Sequence, residues 1–439
     1  MNIIKEIGQF MMMGARAHAH WEIETSQRII RDPKRLVILG LLCLPIMLFG
    51  VAYAEDISGI LPSFIGGKTA YSPAFYTPTI FFASIGVGIC AGLITGCIGA
   101  GGGFIIAPAL MSAGVKGILA VGTDLFHIFA KAIMGSVLHR KMGNISIGLA
   151  LWFILGSMGG ATLGGSINRS IYDANPVMSD AFITSIYVFM LGFLSFYSLM
   201  DFFKARKAAA GLAQKSEEEQ KIFKAGTMTG LAQKLQGMNI PPMVHFDQSI
   251  VPGGRKLSAW FLILSGAFVG LAAAIMGVGG GFLTFPIFVY ALGVSSATTV
   301  GTDIFQIIFT AGYAGLGQYA IYGFIFYTLA MGMLLGSLIG IQIGSLVTKV
   351  VPGQTICGFY ATAVMAGFIN RVFALPVKLA KMGLIPLDPD TGKLLENIGI
   401  YAFFIVISVF SLWVFWTFFS NIKTLKGEGH STHGKEAHA

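Results

Sequence analysis

Three side chains that are costly to place in lipid stand at helical spacing in this chain: Asp124, His127 and Lys131. At i, i+3 and i+7 they would share one face of a helix. The residues around them are apolar, and an ionisable group at bilayer depth is a functional candidate by default. The setting recurs. Val121-Gly122-Thr123-Asp124-Leu125-Phe126 is echoed by Val300-Gly301-Thr302-Asp303-Ile304-Phe305. In the second copy Gln306 stands in place of His127, and Thr310 or Ala311 in place of Lys131. The shared aspartates suggest a shared role, and two are open. Asp124 and Asp303 could hold a proton or cation, or they could cap broken backbone, since Asp commonly caps helix starts. The basic residues belong to the first copy alone; Lys131 could pair with Asp124 or face an anionic substrate. Arg371, beside Asn370, either reaches a substrate or snorkels to the interface.

A glycine-rich segment precedes each aspartate. The first runs Gly99-Ala100-Gly101-Gly102-Gly103-Phe104, then Pro108 and Gly114; the second runs Gly277-Val278-Gly279-Gly280-Gly281-Phe282, then Pro286 and Gly293. Consecutive glycines weaken a helix by roughly 1 kcal/mol each relative to alanine. They also allow positive φ and close approach, and their successive N–H groups can form an anion-binding nest. A half-helix starting after them would add its N-terminal dipole. Gly101, Gly102, Gly103, Gly279, Gly280 and Gly281 are therefore candidate anion contacts, with the hydroxyls of Thr123 and Thr302 as further donors. Close helix packing is the plainer use of glycine, and Gly156, Gly160 and Gly164 with Gly336, Gly340 and Gly344 suit it. Neither segment is a nucleotide loop, because no GK[ST] follows. No metal-ligand spacing and no cofactor motif occurs, and no enzyme chemistry is indicated.

The elements that must position these residues are membrane helices. Hydrophobic residues form 55% of the chain and charged residues 11%, well below the roughly 25% charged of soluble domains. Mean hydropathy is +0.75, and apolar runs of spanning length recur. The formal charge of +9 sits in the arm, one central loop and the tail, as positive-inside topology requires, so nucleic acid is not the implied partner. Cys43, Cys90, Cys97 and Cys357 lie in apolar runs and read as buried free thiols. The chain divides into a cytoplasmic N-terminal arm (1–35), an extra span (36–54) and an outer loop (55–77). A first membrane repeat (78–203), a cytoplasmic linker (204–257) with some amphipathic helix, and a second repeat with two final spans (258–420) follow. A cytoplasmic tail (421–439) ends it. Val51-Ala52-Tyr53-Ala54-Glu55 also has the form of a cleavage site, but the long arm before it favours a retained span.

The fold expected is all-α and polytopic, built from two inverted-topology repeats with broken or re-entrant helices. His139-Arg140-Lys141 is basic where its counterpart Tyr319-Ala320-Ile321 carries no charge, and the span count brings the first copy in from outside and the second from inside. Matching glycine and proline breaks in two such halves point to a transporter's binding site. Segments 104–114 and 282–292 are too short to cross as helices and need protein or a water-filled cavity around them.

The doubled GxGGGF…P…G…GTD pattern, with its later GxxxG runs, resembles the TauE/SafE-type sulfite exporter family across residues 78–420. The resemblance implies a permease for a sulfur-containing anion: sulfite, sulfate, thiosulfate or a small organosulfonate. It maps the family's glycine segments onto Gly99 to Phe104 and Gly277 to Phe282, and its threonine-aspartate positions onto Thr123, Asp124, Thr302 and Asp303. The expectation is a secondary transporter in the cytoplasmic (inner) membrane, both termini inside, with proton or cation coupling as an option and an anion channel of the same architecture as the alternative. Glycine-lined helices permit a homodimer without requiring one.

Overall fold

The computed structural model describes residues 66, 78–98, 103–141, 145–212, 230–247, 254–347, 350–351 and 353–422. The arm, the extra span, nearly all of the outer loop, the first-copy glycines Gly101 and Gly102, part of the linker and most of the tail lie outside the described residues.

The first repeat comprises α1 (Pro78–Ile98), α2 (Gly103–Ser112), α3 (Gly117–Lys141), α4 (Ile147–Ala174) and α5 (Pro176–Leu212). The linker contributes α6 (Gly230–Gly237) and an antiparallel hairpin, β1 (Met243–Phe246) with β2 (Arg255–Ser258). The second repeat holds α7 (Ala259–Met276), α8 (Gly281–Pro286) continued by a π turn (Ile287–Ala291), and α9 (Ser296–Gly312) continued by a second π turn (Tyr313–Tyr319). Then come α10 (Tyr327–Val347), α11 (Gly353–Lys381) and α12 (Pro389–Ser420). Among the described residues, seven helices are long and apolar enough to cross a membrane: α1, α4, α5, α7, α10, α11 and α12. Their outer faces expose Leu155 and Leu163 on α4, Phe189 and Phe193 on α5, and Leu412 and Trp416 on α12. Bare apolar surface of this extent needs lipid beside it, so the chain is a multi-pass helical membrane protein.

The tightest helix pairs cross between repeats. α1 packs against α10, and α4 against α7. A Cβ on Gly156 would stand 1.9 Å from the Ile263 carbonyl oxygen, and one on Gly160 would stand 2.0 Å from that of Ala267. Gly266 and Gly270 return the contact against Phe153 and Ser157. On the other pair, Gly336 and Gly340 lie against Ile85 and Ile89, while Gly88 and Gly92 meet Met333 and Ser337. Residue numbers rise together along both pairs, so each is parallel. The glycines remove side chains from the contact and let the two backbones touch, which is how helices associate where water gives no hydrophobic drive. Two further pairs run the other way. Phe129 meets Gly312, Leu125 and Phe126 meet Gly315, and Tyr319 meets Gly122, so α3 and the α9 segment are antiparallel. Asp180 faces Lys378, Leu191 faces Gly367 and Phe202 faces Gly358, so α5 and α11 are antiparallel as well.

The linker is more ordered than its composition suggests. The hairpin ends at Asp247, whose carboxylate takes the Ser295 N–H (2.9 Å), the Ser295 hydroxyl (2.7 Å) and the Thr298 hydroxyl (2.5 Å), capping the start of α9. Arg255 and Gln236 cover the turn before α9 by donating to the carbonyls of Gly293 (2.7 Å) and Leu292 (2.7 Å).

Candidate functional site

The site lies where both repeats break their helices. After Met276, residues Gly277, Gly279 and Gly280 adopt left-handed φ values of 79°, 69° and 85°. Side-chain-bearing residues rarely adopt this region, which explains the run of glycines. Space is equally limiting: Gly277 lies against Val121 and Gly279 against Ile128, both on α3. Val278, between them, touches Gly103 at the start of α2. Gly103 and the second glycine segment therefore meet against the middle of α3.

The end of α7 leaves carbonyls that need donors. Tyr187 donates its hydroxyl to Met276 O. Tyr319 donates to Ala274 O at 2.5 Å, and the Asn168 amide reaches Ala274 O, Ile275 O and the Tyr319 hydroxyl. Across the site, Arg371 is 2% exposed. It donates to Pro108 O (3.3 Å) and the Ser112 hydroxyl (2.7 Å) in the last turn of α2 and to the Asn370 side chain. A cation there complements the C-terminal dipole of the short helix. Arg371 is thus buried at a helix end instead of snorkelling.

Thr123 and Thr302, singled out as anion donors, each bind the other repeat. The Thr123 hydroxyl oxygen accepts the Phe326 N–H (2.9 Å) at the entry to α10, and that of Thr302 accepts the Ser146 N–H (3.0 Å) at the entry to α4. Both threonines are fully buried, so each offers a helix start of the opposite half the acceptor it lacks.

The aspartates sit one residue further on and differ in their partners. Asp303 is enclosed in a complete chain: Gln306 Nε2 donates to its Oδ1 (2.8 Å), Thr310 donates to Gln306 Oε1 (2.7 Å), and Thr310 meets the hydroxyl of Ser157 on α4 (2.7 Å). Its Oδ2 lies 3.1 Å from where a Cβ on Gly281 would stand, against the first residue of α8. Asp124 has the matching place on α3. His127 Nε2 contacts the Ser337 hydroxyl on α10 at 3.0 Å, the counterpart of Ser157. His127 Nδ1 stands 3.7 Å from Asp124 Oδ1, too far for a hydrogen bond. Neither Asp124 oxygen nor His127 Nδ1 has a hydrogen-bond partner within the protein. The Ala107 amide on α2 directs its dipole toward Asp124 without completing a bond. Lys131, half-buried on the same helix, acts on both residues through space.

The structure thus brings Gly103 and Gly279 together at Ile128 of α3, the helix that also carries Thr123, Asp124, His127 and Lys131, and sets Gly281 against Asp303, while Thr123 and Thr302 stand toward opposite ends of the bundle. Gly101 and Gly102 lie outside the described residues. Sequence reasoning missed Tyr187, Asn168, Tyr319, Ser157 and Ser337, which read as ordinary residues of apolar helices; only the matching places of the two serines in the copies signalled a role.

Paired repeats, helices broken at the centre and buried polar chains beside the breaks define a membrane transporter. The model for the sulfite exporter TauE/SafE family matches residues 84–371. The chain belongs to that family. Among its relatives, a probable membrane transporter protein from Bacillus subtilis, YjnA, is 24% identical over 59% of this chain and 87% of its own length. A probable membrane transporter protein from Xylella fastidiosa is 26% identical over 67% of this chain and 90% of its own. No solved structure matches significantly.

Proposed function

We propose that the protein is a secondary transporter that moves a sulfur-containing anion (sulfite, sulfate, thiosulfate or a small organosulfonate) across the cytoplasmic membrane by alternating access. The observation that carries this reading is the contact of Val278, in the second glycine break, with Gly103 at the start of α2, between helices whose counterparts run antiparallel. Antiparallel α3 with α9 and α5 with α11, and parallel α1 with α10 and α4 with α7, are what two inverted repeats about an axis in the membrane plane would give. Such an arrangement places a binding site at the bilayer midplane and lets one half rock against the other. The left-handed glycine turns before α8 supply N–H groups suited to an oxyanion, and Lys131 supplies positive charge. The family is that of a sulfite exporter, which favours sulfur oxyanions over carboxylates.

The test is counterflow in vesicles containing the purified chain. Labelled anion outside should exchange faster when unlabelled sulfite, sulfate, thiosulfate or taurine is trapped inside. Transport without trans-stimulation would indicate a channel, and exchange of acetate alone would remove the sulfur assignment. Lys131→Ala should lose most uptake while the protein stays in the membrane; wild-type uptake by that variant would remove its charge-balancing role.

A further inference from the structure

We infer that Asp124 and His127 together form a proton-binding site that couples transport to a proton, and that copy two holds the corresponding hydrogen bond permanently. The inference rests on the transporter reading and adds the coupling ion and its residues.

The two copies share the aspartate and the serine and differ between them: Gln306 and Thr310 stand where copy one has His127 and Lys131. In copy two, serine, threonine, glutamine and aspartate form an unbroken sequence, and the Gln306 amide holds Asp303 at 2.8 Å. Glutamine carries that N–H at every pH. In copy one the same position is His127, which carries a second N–H only when protonated. With the Ser337 proton directed to the Leu334 carbonyl (3.0 Å), the imidazole Nε2 is the donor at its 3.0 Å contact with that hydroxyl. The neutral ring then turns a bare Nδ1 toward Asp124 across 3.7 Å. His127 is 1% exposed and Asp124 is fully buried, and neither Asp124 oxygen nor Nδ1 has a partner. A buried carboxylate without a partner is expensive. One proton placed between Nδ1 and Oδ1 satisfies both atoms and reproduces the Gln306–Asp303 bond.

The charged and titratable groups around the pair are few. Lys131 lies on α3 itself, Tyr187 approaches from α5 with Arg371 of α11 beyond it, Tyr319 belongs to the π turn after α9, and Tyr327 stands on α10. Helices α2 and α7 contribute none. With Lys131 charged, the Asp124–His127–Lys131 group has net charge zero without the proton and +1 with it. A proton taken from water on one side therefore converts a neutral group beside the glycine breaks into a cationic one that favours an anion. Release of that proton on the other side expels the anion. Proton and anion move together.

The experiment uses the full chain in vesicles and whichever of sulfate, thiosulfate or taurine shows counterflow. In wild type, counterflow should weaken as pH rises, and an imposed gradient of one pH unit, acid outside, should drive about tenfold accumulation for one proton per anion. His127→Gln supplies the N–H of the loaded form at every pH but cannot take up the proton, so the group stays at net charge zero. Its counterflow should become insensitive to pH and gradient-driven accumulation should vanish. The fold already accommodates glutamine at the equivalent place in copy two; should the variant still fail to fold, Asp124→Asn removes the acidic half of the site. Gradient-driven accumulation that persists in either variant overturns the inference. If no anion shows counterflow in wild type, the transporter reading fails instead. The proton site is then judged alone, by whether the unfolding midpoint between pH 5 and 8 depends on pH in wild type and loses that dependence in His127→Gln; the same dependence in both overturns it.

Discussion

At the residue scale, one atom decides what each polar side chain does. Thr123 and Thr302 were legible in the sequence as a doubled pair in a doubled motif, and their hydroxyls suggested donors to an anion. Their oxygens instead accept backbone N–H groups of the opposite repeat, Phe326 and Ser146. Sequence could not show this, because the acceptor role depends on which helix start lies above the hydroxyl. The consequence is measurable. Thr123→Val keeps the shape and removes the acceptor, leaving the buried Phe326 N–H unpaired at about 1–3 kcal/mol. The unfolding midpoint in detergent should fall, whereas Thr123→Ser should restore it. Thr302→Val should do the same through Ser146. An unchanged midpoint in both valine variants would mean that these bonds do not join the halves.

At the element scale, glycine has two separate jobs, and sequence spacing tells them apart only partly. The runs at Gly277 to Gly281 permit left-handed turns, while Gly156, Gly160, Gly336 and Gly340 permit contact between helices. The period of four exposed a close-packing face. It did not name the partner, because a small-residue stripe fits any other such stripe; that α4 pairs with α7 and α1 with α10 emerges only from the fold. The hairpin of β1 and β2 was also missed, since four-residue strands such as Met243–Phe246 are too short for alternation to register. The glycine contacts predict a sharp contrast. Gly160→Ala and Gly340→Ala would place a methyl about 2 Å from a carbonyl oxygen, separating two helices and destabilising the protein by about 1–3 kcal/mol or more. Gly86→Ala and Gly159→Ala meet open space and should be neutral or slightly stabilising, given alanine's advantage of up to about 1 kcal/mol in a helix. Thermal unfolding of the four variants checks this. Equal losses at all four sites would show that helix propensity or lipid contact, and not interhelical backbone contact, governs these glycines.

At the scale of the whole molecule, the directions of the paired helices constrain which ends face which side. Helix α3, with 25 residues, is about 37 Å long, enough to reach across a bilayer. Its start adjoins the entry to α10 through Thr123, and α4 begins just past its far end, where Thr302 of α9 receives Ser146. The starts of α3 and α9 therefore lie at opposite ends of the bundle. In the sequence, the basic turn His139-Arg140-Lys141 with its uncharged counterpart and the span count together suggest inverted halves, because positive residues are retained on the cytoplasmic side. Two exposed positions report on it: Ala113, in the turn before α3, and Lys256, in the hairpin that caps α9. In a background with Cys43, Cys90, Cys97 and Cys357 replaced, a cysteine at Ala113 should react with a membrane-impermeant maleimide in intact cells. A cysteine at Lys256 should react only once the membrane is opened. Labelling of both from outside, or of neither, would place the two starts on one side. The halves would then be parallel repeats, a single rocking motion could not expose one central site to each side in turn, and the glycine breaks would have to be read as packing alone.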